Sequence, residues 1–170
     1  VVDLVRHRLE RAGEGQEMNL EHVLLHRENH VATVTLNRPE KMNSFGGLRR
    51  QEIVDVLEAV AADPDVRAVV ITGAGTAFCT GGDINEFASG AVKALEKKVP
   101  SERHAMCRAV LAINTMEKPV IASVNGVAAG GGCNLALACD IRIASEQARF
   151  GQVFVRRGVH PDWGGIYFLP

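Results

Sequence analysis

Two glycine-rich turns are the segments of this chain whose residue types could support chemistry. One of them, residues 130–132, stands between an apolar run at residues 120–124 and a helix-like segment. Glycine lets the backbone approach another group closely because no Cβ intervenes. The start of a helix exposes amide N–H groups that have no partner within the helix. Because a backbone donor aimed at a gap stabilises a developing oxyanion, this turn indicates enolate or acyl chemistry.

The other glycine-rich turn, within residues 78–84, also follows a continuous apolar run, at residues 68–71. Each turn offers a glycine N–H beside a predicted helix start, and two such donors from adjacent parallel strands can converge on one oxygen. The structural alternative is that these glycines only allow strands and helices to pack closely. Two turns of the same kind in the same order favour a site.

The elements that position these turns alternate between strand and helix, which predicts an α/β domain. Continuous β-branched runs predict strands buried on both faces. In chain order we expect a hairpin of strands at 23–27 and 31–36, a helix at 48–62, a strand at 68–71, a glycine-rich loop at 72–80, a helix capped by Asp83 and Glu86, a helix at 101–116, a strand at 120–124, a helix from 132, a strand at 140–144 and irregular chain after Phe150.

Composition sets mild limits on function. The 170 residues fit one core domain, residues 18–170, after an N-terminal extension, residues 1–17. A net charge of −1 gives no reason to expect nucleic acid or an anionic membrane as a partner. The four cysteines lack metal-ligand spacing, which predicts reduced thiols, no metal and a cytoplasmic location. No apolar run approaches the roughly 18 residues of a membrane span.

Several long motifs resemble the enoyl-CoA hydratase/isomerase family, also called the crotonase family. The motifs are Leu-Asn-Arg-Pro-Glu-Lys-Met-Asn-Ser at residues 36–44, Phe-Cys-Thr-Gly-Gly-Asp-Ile at 78–84, Lys-Pro-Val-Ile-Ala-Ser-Val-Asn-Gly at 118–126, the glycine triplet, Cys-Asp at 139–140 and Phe-Gly at 150–151. The match runs from about residue 18 to residue 170, with the motifs in register.

The resemblance implies a spiral of ββα turns, assembled as a homotrimer or a dimer of trimers, with the family's C-terminal helical region absent or not covered. It implies an acyl-CoA thioester as partner and no separate cofactor, because coenzyme A is part of the substrate. The two donors to the thioester oxygen would be the amides of Gly82 and Gly131. The residues bordering coenzyme A would be Lys41, Met42, Asn43, Gly82, Asp83, Ile84 and Asn85.

The chain departs from the family's hydratase pattern at two positions. Hydratases that resemble it carry two glutamates that act as acid and base on water, and here Asn134 and Phe154 occupy those positions. An amide accepts no proton at neutral pH, and a phenyl ring activates no water. We therefore expect Asn134 and Phe154 to shape the acyl pocket, and we do not expect the two-glutamate hydration mechanism.

One carboxylate remains, at Asp162. It matches the catalytic acid of several isomerase branches of the family, including the ring-epoxide phenylacetyl-CoA isomerases. A single base suits double-bond migration, because it removes a proton from C2 and returns it at C4, and an apolar wall at Phe154 would raise the pKa of the base. The structural alternative is an ordinary Pro-Asp-x-Gly turn. Trp163 is predicted to form a pocket wall or to pack internally.

The leading hypothesis is therefore an enoyl-CoA isomerase in which Gly82, Gly131 and Asp162 are catalytic. Three alternatives stay open. One is a hydratase that positions water by other groups, and another is a non-catalytic acyl-CoA-binding protein. The third is an aryl-CoA dehalogenase with Asp162 as nucleophile, which would need a histidine near Cys107, and His104 lies one helical turn away.

Overall fold

The computed structural model describes residues 18–47, 49–90 and 104–169, and the predicted N-terminal extension lies outside them. The helices are α1 (Arg49–Ala62), α2 (Ile84–Ser89), α3 (Ala105–Thr115), α4 (Gly131–Ala138) and α5 (Gly165–Phe168), with short 3-10 helices at Pro39–Lys41 and Phe154–Arg157. The strands are β1 (Met18–Asn19), β2 (Val23–Glu28), β3 (Val31–Leu36), β4 (Ala68–Gly73), β5 (Ala77–Cys79), β6 (Val120–Val124), β7 (Val127–Ala129), β8 (Ile141–Ala144) and β9 (Arg149–Gly151).

The nine strands form two sheets. The six-stranded sheet has the order β1-β2-β3-β4-β6-β8, with antiparallel pairing from β1 to β3 and parallel pairing from β3 onward. The β2–β3 hairpin turns at Asn29 and His30, whose φ angles of 50° and 64° suit the tight turn of a two-residue hairpin. The predicted hairpin is confirmed.

The three-stranded sheet is parallel and has the order β5-β7-β9. Each of its strands follows a strand of the larger sheet after a short connection, so that β4 leads to β5, β6 to β7 and β8 to β9. A helix then follows β5 and β7, namely α2 and α4. The repeated strand–strand–helix unit is the spiral of ββα turns that the family resemblance implied.

The core lies against one face of the parallel strands. Along β4, Val69 and Ile71 are buried and join the core, whereas Ala68 and Val70 are only half-buried. The prediction that residues 68–71 are buried on both faces was therefore wrong. Successive side chains of a strand point to opposite faces, and only the face that carries Val69 and Ile71 is fully covered. Helix α1 supplies the opposing apolar side chains, with Leu57 fully buried.

Several elements differ from the sequence prediction. Strand β5 lies inside the predicted loop at 72–80, and β7 and β9 were also missed, because three-residue strands are too short to show an alternating pattern. The capping box was wrong in part: Asp83 Oδ1 accepts from Asn85 N at 3.1 Å, but Glu86 Oε2 accepts from Gly47 N at 2.7 Å. Glu86 thus ties α2 to the preceding loop.

The described helices are all short, the longest being α1 with 14 residues. Within the described ranges, no helix has the length and apolarity needed to cross a bilayer.

Candidate active site

The first glycine turn leaves one amide free of backbone bonds. Phe45 N donates to Gly81 O at 2.7 Å, and Asp83 N donates to Phe45 O at 2.9 Å. Gly82 lies between these two bonds and is exposed, and its own N–H has no hydrogen-bond partner among the described residues. Gly81 adopts a φ of 83°, a left-handed conformation that favours glycine. The turn therefore holds its backbone rigidly on both sides of an available donor.

The second glycine turn leads directly into α4. Gly130 has a φ of 53°, and its N–H donates to Gly151 O at 2.9 Å. Gly131 is the first residue of α4, so its N–H has no acceptor within the helix. A Cβ on Gly132 would lie 2.1 Å from Cys79 O, so only glycine allows α4 to pack this closely on β5.

The two turns are in contact with each other. Strands β5 and β7 pair in parallel, with Cys79 opposite Ala128. A Cβ on Gly81 would lie 2.8 Å from Ala129 O and 3.0 Å from Gly131 N. Because Gly82 is bonded directly to Gly81, the structure brings the two predicted donor residues together at the same end of the small sheet.

Asp162 reaches the second turn from the C-terminal part of the chain. Its Oδ1 atom lies 3.2 Å from the position that a Cβ on Gly131 would take. This oxygen is buried and has no hydrogen-bond partner within the described part of the chain. Burial raises the pKa of the Asp162 carboxyl, and the smaller opposing effects of its own amide, His160 and Arg50 do not cancel it. The geometry is that of a carboxylate able to act as a base.

Trp163 fixes the loop that carries Asp162. The residue is buried and has a φ of 48°, which a bulky side chain adopts only when its surroundings enforce it. Its indole stacks on the ring of Phe45, with centroids 4.3 Å apart and planes inclined by 20°. Its Cδ1 atom also lies 2.7 Å from the position of a Cβ on Gly131. Trp163 therefore packs between the two glycine turns.

Asn134 is fully buried on α4 behind Asp162. Its Nδ2 donates to Asp162 O at 2.8 Å, and its Oδ1 accepts from Gln152 Nε2 at 2.6 Å. Phe154 is half-buried, and its Cζ lies 3.8 Å from the position of a Cβ on Gly130. Both predicted pocket residues thus lie beside this turn, Asn134 enclosed and Phe154 partly open.

The residues predicted to border coenzyme A include both exposed and buried side chains. Lys41 and Met42 are exposed, whereas Asn43 is 3% exposed. Asn43 Nδ2 donates to Ala74 O at 2.9 Å and to Ala77 O at 2.8 Å. Its side chain therefore holds the loop against the β4–β5 connection, which leaves Lys41 and Met42 at the surface.

The other half of this border, residues 82–85, is anchored by an ion pair. Arg38 Nη1 donates to Asp83 Oδ2 at 2.9 Å, and both side chains are mostly buried. Burial raises the pKa of the Asp83 carboxyl, but the Arg38 hydrogen bond and charge and the Asn85 amide outweigh it, so the net pKa is lowered. Ile84 is 54% exposed and Asn85 is exposed, so both face solvent beside Gly82.

Three contributors to the site were missed in the sequence. Arg38 stands within the Asn-Arg-Pro motif, and a charged residue ahead of a proline turn could have been read as an anchor. Phe45 directly follows the longer motif at residues 36–44, so its link to the first turn could have been suspected. Gln152 offers no signal, because its partner Asn134 is distant in sequence.

Within the described chain, no hydrogen bond joins helix α3 to a predicted site residue, although α3 packs against α4 and its Val110 lies close to Gly164. His104 precedes it and is exposed, as is Cys107. A surface groove of about 960 Å³ lies between α1 and α3, bridged by a bidentate Arg108–Glu58 pair, and its lining includes none of the predicted site residues. The glycine turns are thus a separate feature of the molecule.

Two sheets wound as successive ββα turns, with one glycine turn after β5 and another after β7, define the crotonase architecture. Residues 26–170 match the family model for enoyl-CoA hydratase/isomerase. The chain is 40% identical over 154 residues to the 1,2-epoxyphenylacetyl-CoA isomerase of Escherichia coli K12, covering 89% of this chain and 58% of that protein. The chain belongs to the enoyl-CoA hydratase/isomerase family.

Relatives with hydratase names are equally similar. The short-chain-enoyl-CoA hydratase of Clostridium acetobutylicum is 42% identical over 154 residues, covering 89% of this chain and 57% of that protein. The crystal structure of an enoyl-CoA hydratase from Mycobacterium avium subsp. paratuberculosis K-10 superposes with a TM-score of 0.76 at 34% identity, covering 89% of this chain and 55% of the other. The chain thus spans between 55% and 58% of the length of these three proteins.

Proposed function

We propose that this chain carries the catalytic centre of an enoyl-CoA isomerase, which converts a 3-enoyl-CoA into the conjugated 2-enoyl-CoA. The observation that carries the proposal is the buried, unpartnered Asp162 Oδ1 beside the Gly131 turn. A carboxylate with a raised pKa takes a proton more readily than an exposed one, which suits a general base.

The reaction begins with the thioester carbonyl oxygen held by the amides of Gly82 and Gly131. Asp162 removes a proton from C2, and the electron pair moves into the dienolate, whose negative charge rests on the thioester oxygen. The two amides stabilise that charge, and one well-aimed donor is typically worth about 10²–10³ in rate. Protonated Asp162 then delivers the same proton to C4, so the product is an isomer and the base is regenerated.

The surroundings support binding of an acyl-CoA thioester. Lys41 is an exposed cation, and Met42 and Ile84 are exposed apolar residues that flank the turn. A ligand with a charged nucleotide end and an apolar acyl end matches this mixture of groups. Phe154, half-buried at the second turn, supplies an apolar wall that keeps water from the dienolate.

The test is to replace Asp162 with Asn in the purified protein and to follow formation of the conjugated thioester from a 3-enoyl-CoA. We expect a loss of about 10²–10⁴-fold in kcat, the range of a general base. The parent's rate should fall on acidification with a midpoint above the ordinary aspartate value of about 4. Equal turnover by the two proteins would remove Asp162 from this role.

Hydration is the second candidate function, because similar relatives carry hydratase names. The chain has Asn134 and Phe154 where the hydratase pattern has glutamates, so another group would have to activate water. The two reactions are separated by supplying a 2-enoyl-CoA and measuring formation of a 3-hydroxyacyl-CoA, because only hydration adds water to the substrate. Robust hydration by the parent would favour the hydratase, and binding without exchange of C2 protons in deuterated water would favour a non-catalytic acyl-CoA-binding protein.

A further inference from the structure

Both the nitrogen and the oxygen of the Asn134 side chain form hydrogen bonds within the protein. It is 0% exposed, its Nδ2 donates to the main-chain oxygen of Asp162, and its Oδ1 accepts from Gln152 Nε2. Because the main-chain oxygen of Asp162 can only accept, it must face the amide nitrogen of Asn134. The oxygen of Asn134 then points away from Asp162, where it accepts from Gln152 Nε2.

The main-chain oxygen of Asp162 is held from two sides. Asn134 Nδ2 and Gly165 N each donate to it at 2.8 Å. These bonds fix the peptide plane between Asp162 and Trp163, which borders the left-handed conformation of Trp163. Since the Asp162 side chain branches from the same Cα atom, the direction of its carboxylate toward Gly131 depends on this plane.

The space around Asn134 matches an amide of this size. A Cβ added at Gly165 would come within 2.2 Å of Asn134 Nδ2 and 2.5 Å of its Cγ, so the amide rests directly on the backbone of α5. A longer side chain at position 134 would have to displace the loop that carries Asp162.

We propose that Asn134, whose oxygen is held by Gln152, is a positioning residue for Asp162, and that it acts on the reaction through the Asp162 loop without touching the substrate. The inference rests on the proposed function for its kinetic consequence only. An amide is suited to this task because it donates to the Asp162 carbonyl at every pH, whereas an ionised carboxylate at the same position has no proton to donate.

The experiment compares Asn134→Ala and the isosteric Asn134→Asp with the parent, and uses Cys133→Ser as the matched control. Cys133 is the preceding buried residue of α4, and its Sγ lies 3.6 Å from Gln152 Nε2, a nitrogen to which a serine hydroxyl still offers an acceptor. Among the described residues, the Cys133 side chain has no hydrogen bond to the Asp162 loop. We expect Asn134→Ala to lower kcat for isomerisation by about 10²-fold, the scale of a misplaced catalytic group. KM should change less than about twofold, and Cys133→Ser should match the parent.

Two further measurements separate positioning from general loss of structure. In Asn134→Asp, the ratio of variant to parent kcat should rise as the pH falls, because a protonated carboxyl again donates to the Asp162 carbonyl. In addition, ¹³C NMR titration of the Asp162 carboxyl, identified with Asp162→Asn, should show the raised pKa in the parent and Cys133→Ser. In Asn134→Ala that pKa should return toward the ordinary value.

The NMR titration needs no turnover, so it distinguishes the two possible failures. A parent that isomerises no 3-enoyl-CoA would sink the proposed function, while a titration that shifts only in the Asn134 variants would still support the positioning role. An Asp162 pKa that is the same in the parent and in both Asn134 variants would overturn that role, as would a kcat unaffected by Asn134→Ala.

Discussion

The two glycine turns have the same order of strand, glycine and helix, yet different interactions hold them in place. The first, residues 81–83, opens onto solvent at Gly82 and is anchored by the charged pair Arg38–Asp83. The second, residues 130–132, is buried and is held by neutral contacts with Cys79 and Trp163. The first turn is thus supported by an ion pair beside it, and the second by close packing of neighbouring residues.

This difference follows from what each turn must do in the proposed function. A turn that borders a large ligand has to remain accessible, so its supports lie beside it and include ionisable groups. A turn beneath the reacting carbon has to exclude water, and neutral contacts do so without burying further charge. The contrast makes separate predictions for stability, for its pH dependence and for the contact between the turns.

The largest effect should come from filling the packed turn. In Gly132→Ala the new Cβ would lie 2.1 Å from Cys79 O and 2.7 Å from Cys79 Cβ, so two backbone segments must separate. We expect the free energy of unfolding in urea to fall by about 3 kcal/mol, the upper range for overpacking. Gly158→Ala is the control, because its φ of 64° carries backbone strain but no atom lies within 4 Å of the new Cβ. Equal losses in both variants would contradict the packing argument.

The next effect concerns the Arg38–Asp83 ion pair beside the first turn. In Asp83→Asn, Glu40 is the one ion-pair partner left to the mostly buried Arg38 among the described residues, with its Oε1 3.4 Å from Arg38 Nε. We expect a loss of about 2 kcal/mol at neutral pH, measured by urea unfolding. Glu40→Gln is the matched control and should cost less than about 1 kcal/mol, because the Glu40 side chain is 66% exposed.

The same variant has a defined pH dependence. The pKa of Asp83 is lower in the folded than in the unfolded chain, so its carboxylate stabilises the fold above the unfolded value of about 4. That contribution is lost as the pH falls through the folded-state pKa. The stability difference between parent and Asp83→Asn should therefore shrink in acid, and a difference that stays constant down to pH 2 would contradict the electrostatic support.

A smaller effect should follow from weakening the contact between the two turns. Phe45 joins the first turn through its backbone and the second through its ring, which stacks on Trp163. Phe45→Leu keeps the backbone bonds and removes the stack, so we expect a loss of about 1.5 kcal/mol. Trp163 is the only tryptophan of the chain, so its fluorescence reports on this contact. An unshifted emission maximum would show that the ring does not hold the indole.

Much of the fold could be predicted because its long elements carry clear patterns. The β2–β3 hairpin, helix α1 and strand β6 follow directly from apolar periodicity and turn residues. The short strands β5, β7 and β9 could not be predicted, because three residues hold too little pattern and their pairing joins segments distant in sequence.

The candidate site divides in the same way. The glycine turns and Asp162 stand out by residue type and by motif, so they could be named from the sequence. The bonds that orient them could not, because they connect Arg38 to Asp83 and Gln152 to Asn134 across the fold. A side-chain pair of this kind leaves no local signal, and the burial that gives it strength exists only in the folded chain.

The smallest effect is a gain in stability, from a carboxylate whose folded-state pKa is shifted in the opposite direction to that of Asp83. Asp162→Asn replaces a carboxylate whose Oδ1 is buried without a partner by a neutral group of equal size. We expect unfolding in urea to require about 1 kcal/mol more at neutral pH. Because burial raises the folded-state pKa of Asp162, the destabilising effect of the carboxylate is fully present above that pKa and absent below the unfolded value of about 4.

The stability gained by Asp162→Asn should therefore disappear in acid. The stability lost by Asp83→Asn should shrink there too, so the two variants should approach the parent's stability, the first from above and the second from below. Parallel urea titrations of both variants at pH 7 and pH 3 provide the comparison. Asp162→Leu, which is also uncharged, serves as a check that a stability gain at pH 7 reflects loss of charge. A destabilised Asp162→Asn at pH 7 would mean that the carboxylate has a stabilising partner, and the two turns would then share the same electrostatic support.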